Sequence, residues 1–442
     1  MTKMDWLKRL FTLKPAASKP LTPVEPGLYH TTRETDGRFT RFHLRVERDG
    51  TGMLIANASA AARLNASGVV IARGLLEDKE EAAILDDLKA HFEVPTEEIL
   101  RKDIERVQDL VRAMLNPGDT YPVFSLEDPA LSPYQSELIA PLQATLALAA
   151  PEQALPILDH LWKVGIPHVT LSVPEDPTPQ HLLRAIERAE DLGMIAGVRA
   201  RATDLQHGTL LQDLWQAGVD HVTLLYAAPD PAIHDALCGE GDYEATLALF
   251  GWLQENQVAA VAEIPLISTT VPMVEESVTA LMTLGADSLS FVAYATLDET
   301  LATEDGALHV DALLQVATRV EEAADLAQAR FVWESPVERD PTQSLKGQVR
   351  RGPRCSAEVA IRVEPDGAVI PPRGPYRSAG NLLRDPWEAI WYDEAFRRYR
   401  ERVEAPTRCD VCPGLALCAA DCPREPQGWA RKASSQPLTS ES

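Results

Sequence analysis

Cys409, Cys412, Cys418 and Cys422 form a C-x2-C-x5-C-x3-C run that holds four of the chain's six cysteines. Thiolates are the ligands that iron–sulfur clusters and structural zinc share, and short loop spacings let several of them reach one centre. A disulfide pair is the competing assignment. Against it, the rest of the chain is nearly free of cysteine and no secretion signal is visible. The spacing favours iron–sulfur over zinc. Cys355 adds one more thiol upstream, whereas Cys238 reads as an ordinary buried thiol. His168 and His221 hold equivalent places in two repeated phrases, which suits strand starts better than a metal pair. His234 reads as a helix cap or a packing hydrogen bond. There is no Ser-His-Asp set, phosphate-binding glycine loop or zinc-protease helix.

These residues need elements to position them, and 442 residues suffice for two to four domains with real cores. The net charge of −24 argues against a nucleic-acid partner, which requires a basic face. No apolar run reaches the length of a membrane span. Residues 1–26 read as a flexible basic terminus, with Lys3, Lys8, Arg9, Lys14 and Lys19 against Asp5. The apolar stripe of Trp6, Leu7, Leu10 and Phe11 lacks an h-region, so a cytoplasmic location is expected.

Residues 27–116 read as a winged-helix-like α+β domain. Phe42, Leu44 and Val46 alternate with Arg41, His43, Arg45 and Glu47 as in a half-buried strand, and Asp49-Gly50 supplies a hairpin turn. Helical spacing places Ile84, Leu85 and Leu88 on one face, and Leu100, Ile104, Val107, Val111 and Met114 on another. A Pro/Asp/Ser-rich linker covers 117–138. From 139 to 340 the pattern alternates β and α, with strands expected at 142–148, 168–173, 195–201, 220–226, 259–266, 288–294 and 330–334. GIPHVTL, GVDHVTL and GADSLSF each end a helix at Gly and start a buried strand, the grammar of parallel βα units. A partial barrel is expected, with an open doubly wound sheet as the alternative. Arg199 and Arg201 then fall where a barrel mouth would take a carboxylate or phosphate, although solvated arginine is the commoner state. Residues 350–425 form a cysteine-cluster segment, and 426–442 a polar, disordered tail.

DPAIHDALCGEGDYEATL, AEDLGM and APLQATLAL in the barrel, then Cys355, DGAVIP, AGNLL, the EAIW helix and the cysteine run, resemble the radical S-adenosylmethionine superfamily with a SPASM-type extension, over roughly 135–425. The resemblance implies a partial (β/α)6-type TIM-like barrel followed by a small cluster-binding domain. Separately, LRVERDGTGMLIANAS and RLNASGVVIARGLL resemble the peptide-recognition element of pyrroloquinoline-quinone biosynthesis protein D. That likeness implies a precursor or leader peptide added as an extra strand. Its groove would lie between an edge strand near Gly52–Asn57, with Met53 and Ile55, and the helix face of Ile104, Val107 and Val111.

The chain departs from the superfamily where the cofactor chemistry resides. A C-x3-C-x2-C triplet belongs just after the first barrel strand, but LALAAPEQALPI there contains no cysteine. The Gly-Gly-Glu-Pro turn reads Val173-Pro174-Glu175-Asp176, leaving Glu175 as the residual cofactor-binding residue without the glycines that let the backbone approach. Pro372 stands where members with two auxiliary clusters place a cysteine, and none follows Cys422. One [4Fe-4S] cluster on Cys409, Cys412, Cys418 and either Cys422 or Cys355 is expected, with zinc as the alternative. S-adenosylmethionine cleavage is not expected. The resulting reading is a pseudoenzyme linked to maturation of a ribosomally made peptide, with a precursor peptide and an active radical maturase as partners. The alternative is a peptide-modifying or nonradical enzyme that uses the barrel mouth and the C-terminal cluster.

Overall fold

The computed structural model describes residues 14–15, 23–35, 38–56, 60–93, 96–115, 138–174, 177–334, 336–354, 360–372 and 376–396. The cysteine run, Cys355, Glu175 and most of the 117–138 linker lie outside the described residues. The chain divides into two compact units, residues 1–141 with 162–167, and residues 142–161 with 168–442.

The first unit is a four-stranded antiparallel sheet, β1 (Gly27–Thr35), β2 (Arg38–Val46), β3 (Gly52–Ala56) and β4 (Ala60–Leu64), in that spatial order. Three helices follow, α1 (Ala66–Leu76), α2 (Glu81–His91) and α3 (Glu97–Leu115). The Asn65 side chain accepts the Gly68 N–H at 2.8 Å and so starts α1 immediately after β4. Leu44, Leu54, Ile71, Leu88 and Leu100 share one core with Ile104, Val107 and Val111.

Two expectations are corrected here. Within the segment expected as an edge, Gly52–Ala56 is interior, because β3 pairs with β2 on one side and with β4 on the other. Nor is β2 half-buried: His43, Arg45 and Glu47 are buried as fully as Phe42 and Leu44. Arg45 pairs with Glu47 at 2.7 Å and donates to the carbonyls of Ala140 and Pro141, while Glu47 accepts the Ile139 N–H. An ion pair braced by further hydrogen bonds is a sustainable buried group, so polar alternation did not mean exposure.

The second unit is a mixed α/β assembly around a large, mainly parallel sheet. Its strands are β5 (Gln143–Ala147), β6 (His168–Ser172), β7 (Ile195–Ala200), β8 (His221–Leu225), β9 (Ala259–Leu266), β10 (Ser288–Thr296) and β11 (Phe331–Trp333). Each is parallel to the next. Crossovers include α4 (Pro151–Val164), α5 (Pro179–Asp191), α6 (Leu210–Gln216), α7 (Pro231–Cys238), α8 (Asp242–Glu255), α9 (Val274–Thr283) and α10 (Leu313–Ala327). After α11 (Leu345–Arg351), β12 (Ala360–Val363) joins β5 in parallel, and β13 (Ala368–Ile370) and β14 (Gly380–Asn381) extend the sheet antiparallel. The sequential parallel order favours the barrel over the doubly wound alternative, which reverses direction midway.

Register explains the two faces. Val169, Leu171, Val198, Val222, Leu224 and Ile264 alternate with Thr170, Ser172, Arg199, Thr223 and Glu263, all of them buried. Apolar residues take the helix-facing side of the strands, and the polar set shares the other. Among the described residues no helix is long and apolar enough to cross a membrane.

Candidate functional site at the carboxyl ends of the parallel strands

Pairing puts Ser172 beside Arg199 and Arg199 beside Thr223 across three strands. Further along the sheet, Leu225 aligns with Glu263, and Glu263 with Ser290. Arg199 donates Nε to Glu263 Oε2 at 2.7 Å and Nη2 to Oε1 at 2.5 Å. Its Nη1 donates to the Arg350 carbonyl at 2.9 Å. Burial opposes the charge on Arg199, but the adjacent Glu263 carboxylate outweighs it and raises the guanidinium pKa above its ordinary value. Ser290 Oγ donates to Glu334 Oε1 at 3.0 Å. Burial, reinforced by Glu263, pushes the Tyr294 phenol well above its ordinary value, so it stays protonated.

Gly352 permits the α11 carbonyls to close on Arg199. Its φ is +74°, and a Cβ there would lie 2.2 Å from the guanidinium carbon. Only glycine meets both demands.

Above this layer lies a cavity of about 390 Å³, bounded by the ends of β5 to β8 and by α11. Ser172, Arg199, Arg201, Asp204, Arg351 and Arg362 are among its walls. Arg201 grips Asp204 bidentately, at 2.9 Å from Nε and 2.5 Å from Nη2, and donates to the Cys238 carbonyl. Arg362 pairs with Glu364 at 2.7 Å. The Arg351 guanidinium lies 5.2 Å from the Tyr376 ring centroid. Sequence reasoning singled out Arg199 and Arg201 on position alone. Arg350, Arg351 and Arg362 were missed because their segment was assigned to the cluster domain; Arg350 on α11 bonds the Leu237 carbonyl, and Arg362 arrives through the pairing of β12 with β5.

The two repeated histidines do meet. His168 Nε2 and His221 Nε2 are 2.7 Å apart, at the amino ends of β6 and β8 on the opposite rim. Gly197 on the strand between them makes room, since a Cβ there would fall 1.9 Å from the His221 ring. The separation is that of a hydrogen bond, one ring donating and the other accepting. Burial lowers the His221 pKa to about 4.

His234, Cys238 and Asp242 also converge, with ligand atoms within 4.8 Å of one another and all three residues buried. Their bonding argues against metal. His234 Nδ1 accepts the Ala227 N–H, which leaves the Nε2 proton for Asp242 at 3.1 Å. Asp242 also takes the Thr203 N–H and hydroxyl. Burial pushes the Cys238 thiol up, away from the thiolate a metal needs. The trio ties α7 to α8.

The structure places Met53, Ile55, Ile104, Val107 and Val111 in buried positions, the three α3 residues inside the core. At the end of β5, where a cluster-binding loop was expected to be missing, Leu148, Ala149 and Ala150 alone connect to α4. This connection has neither thiolates nor the length for a C-x3-C-x2-C triplet, so its residues do not fit a site-differentiated cluster.

A partial parallel α/β barrel with a polar lumen and a cavity at the strand carboxyl ends is the class of protein these features define. No family model matches the chain. Crystal structures of Streptococcus suis SuiB share its fold. The form bound to S-adenosylmethionine has a TM-score of 0.56 at 14% identity, covering 88% of this chain and 94% of that one. The form bound to precursor peptide SuiA has the same TM-score and identity, covering 92% and 99%.

Proposed function

We propose that this chain captures a ribosomally made precursor peptide and works in its maturation without cleaving S-adenosylmethionine itself. The observation that carries the reading is the fold likeness to peptide-bound SuiB along nearly the whole chain, combined with a β5–α4 connection that has no cluster ligands. An open sheet edge supports the peptide half. With β3 in the interior, the edge strands of this sheet among the described residues are β1 and β4. Strand addition at β4, beside the start of α1, gives main-chain bonds for affinity and leaves side-chain pockets for specificity. The C-terminal cysteines would hold one [4Fe-4S] cluster, with zinc as the alternative, and the radical step would fall to a separate active maturase. The thiolate donor set suits either metal centre.

The test pans a random peptide display library against the full chain and maps the enriched peptides by amide hydrogen exchange. Slowed exchange across Ala60–Leu64 upholds the reading. Failure to enrich any peptide, or protection confined to the barrel, overturns it.

A second reading keeps catalysis, with a nonradical reaction at the barrel mouth. The observation in its favour is the convergence of polar side chains there, which apolar filling of a mere scaffold would not require.

A further inference from the structure

The charged walls of the barrel-mouth cavity are unequal. Arg199, Arg201, Arg350, Arg351 and Arg362 line it, and Asp204 is the one acid among the described lining residues. This occurs in a chain whose net charge is −24. An arginine-rich concavity in an acidic protein is a local reversal of field, and low-dielectric walls focus such a field into the cleft.

The guanidinium groups are also fixed in place. Arg199 is clamped by Glu263 from behind and by two α11 carbonyls, at 2.9 Å and 3.4 Å. Arg201 is clamped by Asp204, and Arg362 by Glu364. Arg350 donates Nε to the Leu237 carbonyl at 2.9 Å. Arg351 stacks on Tyr376 and donates to its hydroxyl at 3.2 Å. A guanidinium presents its N–H donors in a rigid fork that matches planar and tetrahedral oxyanions. Holding them beforehand removes much of the ordering entropy that binding would otherwise cost.

We infer that the barrel mouth is a binding site for a small multivalent oxyanion, a phosphate ester or polycarboxylate, gathered by Arg201, Arg350, Arg351 and Arg362 over the Arg199 floor. The cavity has the volume of a small metabolite rather than of a folded partner. The walls repel a sulfonium, so they favour a multivalent anion over S-adenosylmethionine, which offers them one carboxylate beside two cationic groups. The inference stands independently of the peptide reading, because it is measured without peptide or iron.

The experiment is isothermal titration of the full chain with inorganic pyrophosphate and, separately, with citrate. Saturable binding at one site per chain is expected for at least one of them. Preference for pyrophosphate assigns the phosphate class, and preference for citrate the polycarboxylate class. Arg351→Gln, at an exposed position, and Arg350→Gln should each weaken binding about tenfold or more, the loss of a charge-assisted bond. Arg112→Gln on α3, outside the cavity, should leave it unchanged. Absence of saturable binding by either anion overturns the inference. So does binding that survives both cavity substitutions in folded protein, or displacement of the anion by a lower concentration of S-adenosylmethionine.

Discussion

Arg199 and Glu263 are worth most to the fold as a pair. Each is buried, and removing one partner strands the other's charge at low dielectric. Glu263→Gln keeps the volume and should destabilise the chain by about 3–5 kcal/mol, read as a drop in the urea midpoint at unchanged slope. A surface pair such as Arg112–Asp109 should lose less than about 1 kcal/mol on the same assay. The histidines make stability depend on pH. Burial lowers His221 to about 4, and lowers His43 to about 3 with help from the charges of His30 and Arg41. The unfolded chain therefore binds more protons than the native one between those values and the ordinary 6.5. Stability is full above that range and falls as pH drops through it, with His221 alone costing about 3 kcal/mol by its lower end. Urea titrations at pH 7.5, 5.5 and 4.5 should show the decline, and His221→Gln should make it shallower, leaving the His43 part. Stability unchanged across that interval would contradict a neutral buried pair.

At the scale of elements, α3 gives a sharp contrast between two roles for the same residues. Ile104, Val107 and Val111 were expected to line a peptide groove, yet they sit in the core with Leu54 and Ile71. Ile104→Ala should thus cost about 2–5 kcal/mol of stability with no peptide present. A stable variant with weakened peptide binding would instead return this face to the groove. The helical spacing of those residues was legible because a buried stripe and a binding stripe look alike in sequence. The strands were equally plain: 259–266 was expected and Ala259–Leu266 is found, a short run of mainly small and apolar residues buried in a parallel sheet. Strand β4 escaped notice. Ala60, Ala61 and Ala62 carry no strand preference, and only pairing with β3 makes them extended. The site was half legible for a similar reason. Residue type and position pointed to Arg199 and Arg201, but nothing local announces that β12 pairs with a strand more than two hundred residues earlier.

For the whole molecule, the question is whether the proposed C-terminal centre is a single cluster and whether it engages S-adenosylmethionine. The six cysteines set the ceiling. Cys238 is buried with a raised pKa and belongs to the α7–α8 tie, which leaves five thiols, all outside the described residues. Five thiolates are too few for two four-thiolate centres. Anaerobic reconstitution should therefore yield about four irons per chain rather than eight. Cys409→Ala should abolish the cluster, while Cys238→Ala should leave the iron content intact. Electron paramagnetic resonance of the reduced protein should be unchanged by S-adenosylmethionine, because the β5–α4 connection offers no thiolates with which to place an open iron site near a bound cofactor. Zinc in place of iron would be compatible with the proposed peptide capture and would exclude redox chemistry at the C-terminal cysteines. A second cluster, or a spectrum that shifts on adding S-adenosylmethionine, would require ligands other than cysteine. It would return the chain to the enzymes, despite a strand-to-helix connection with no room for their signature.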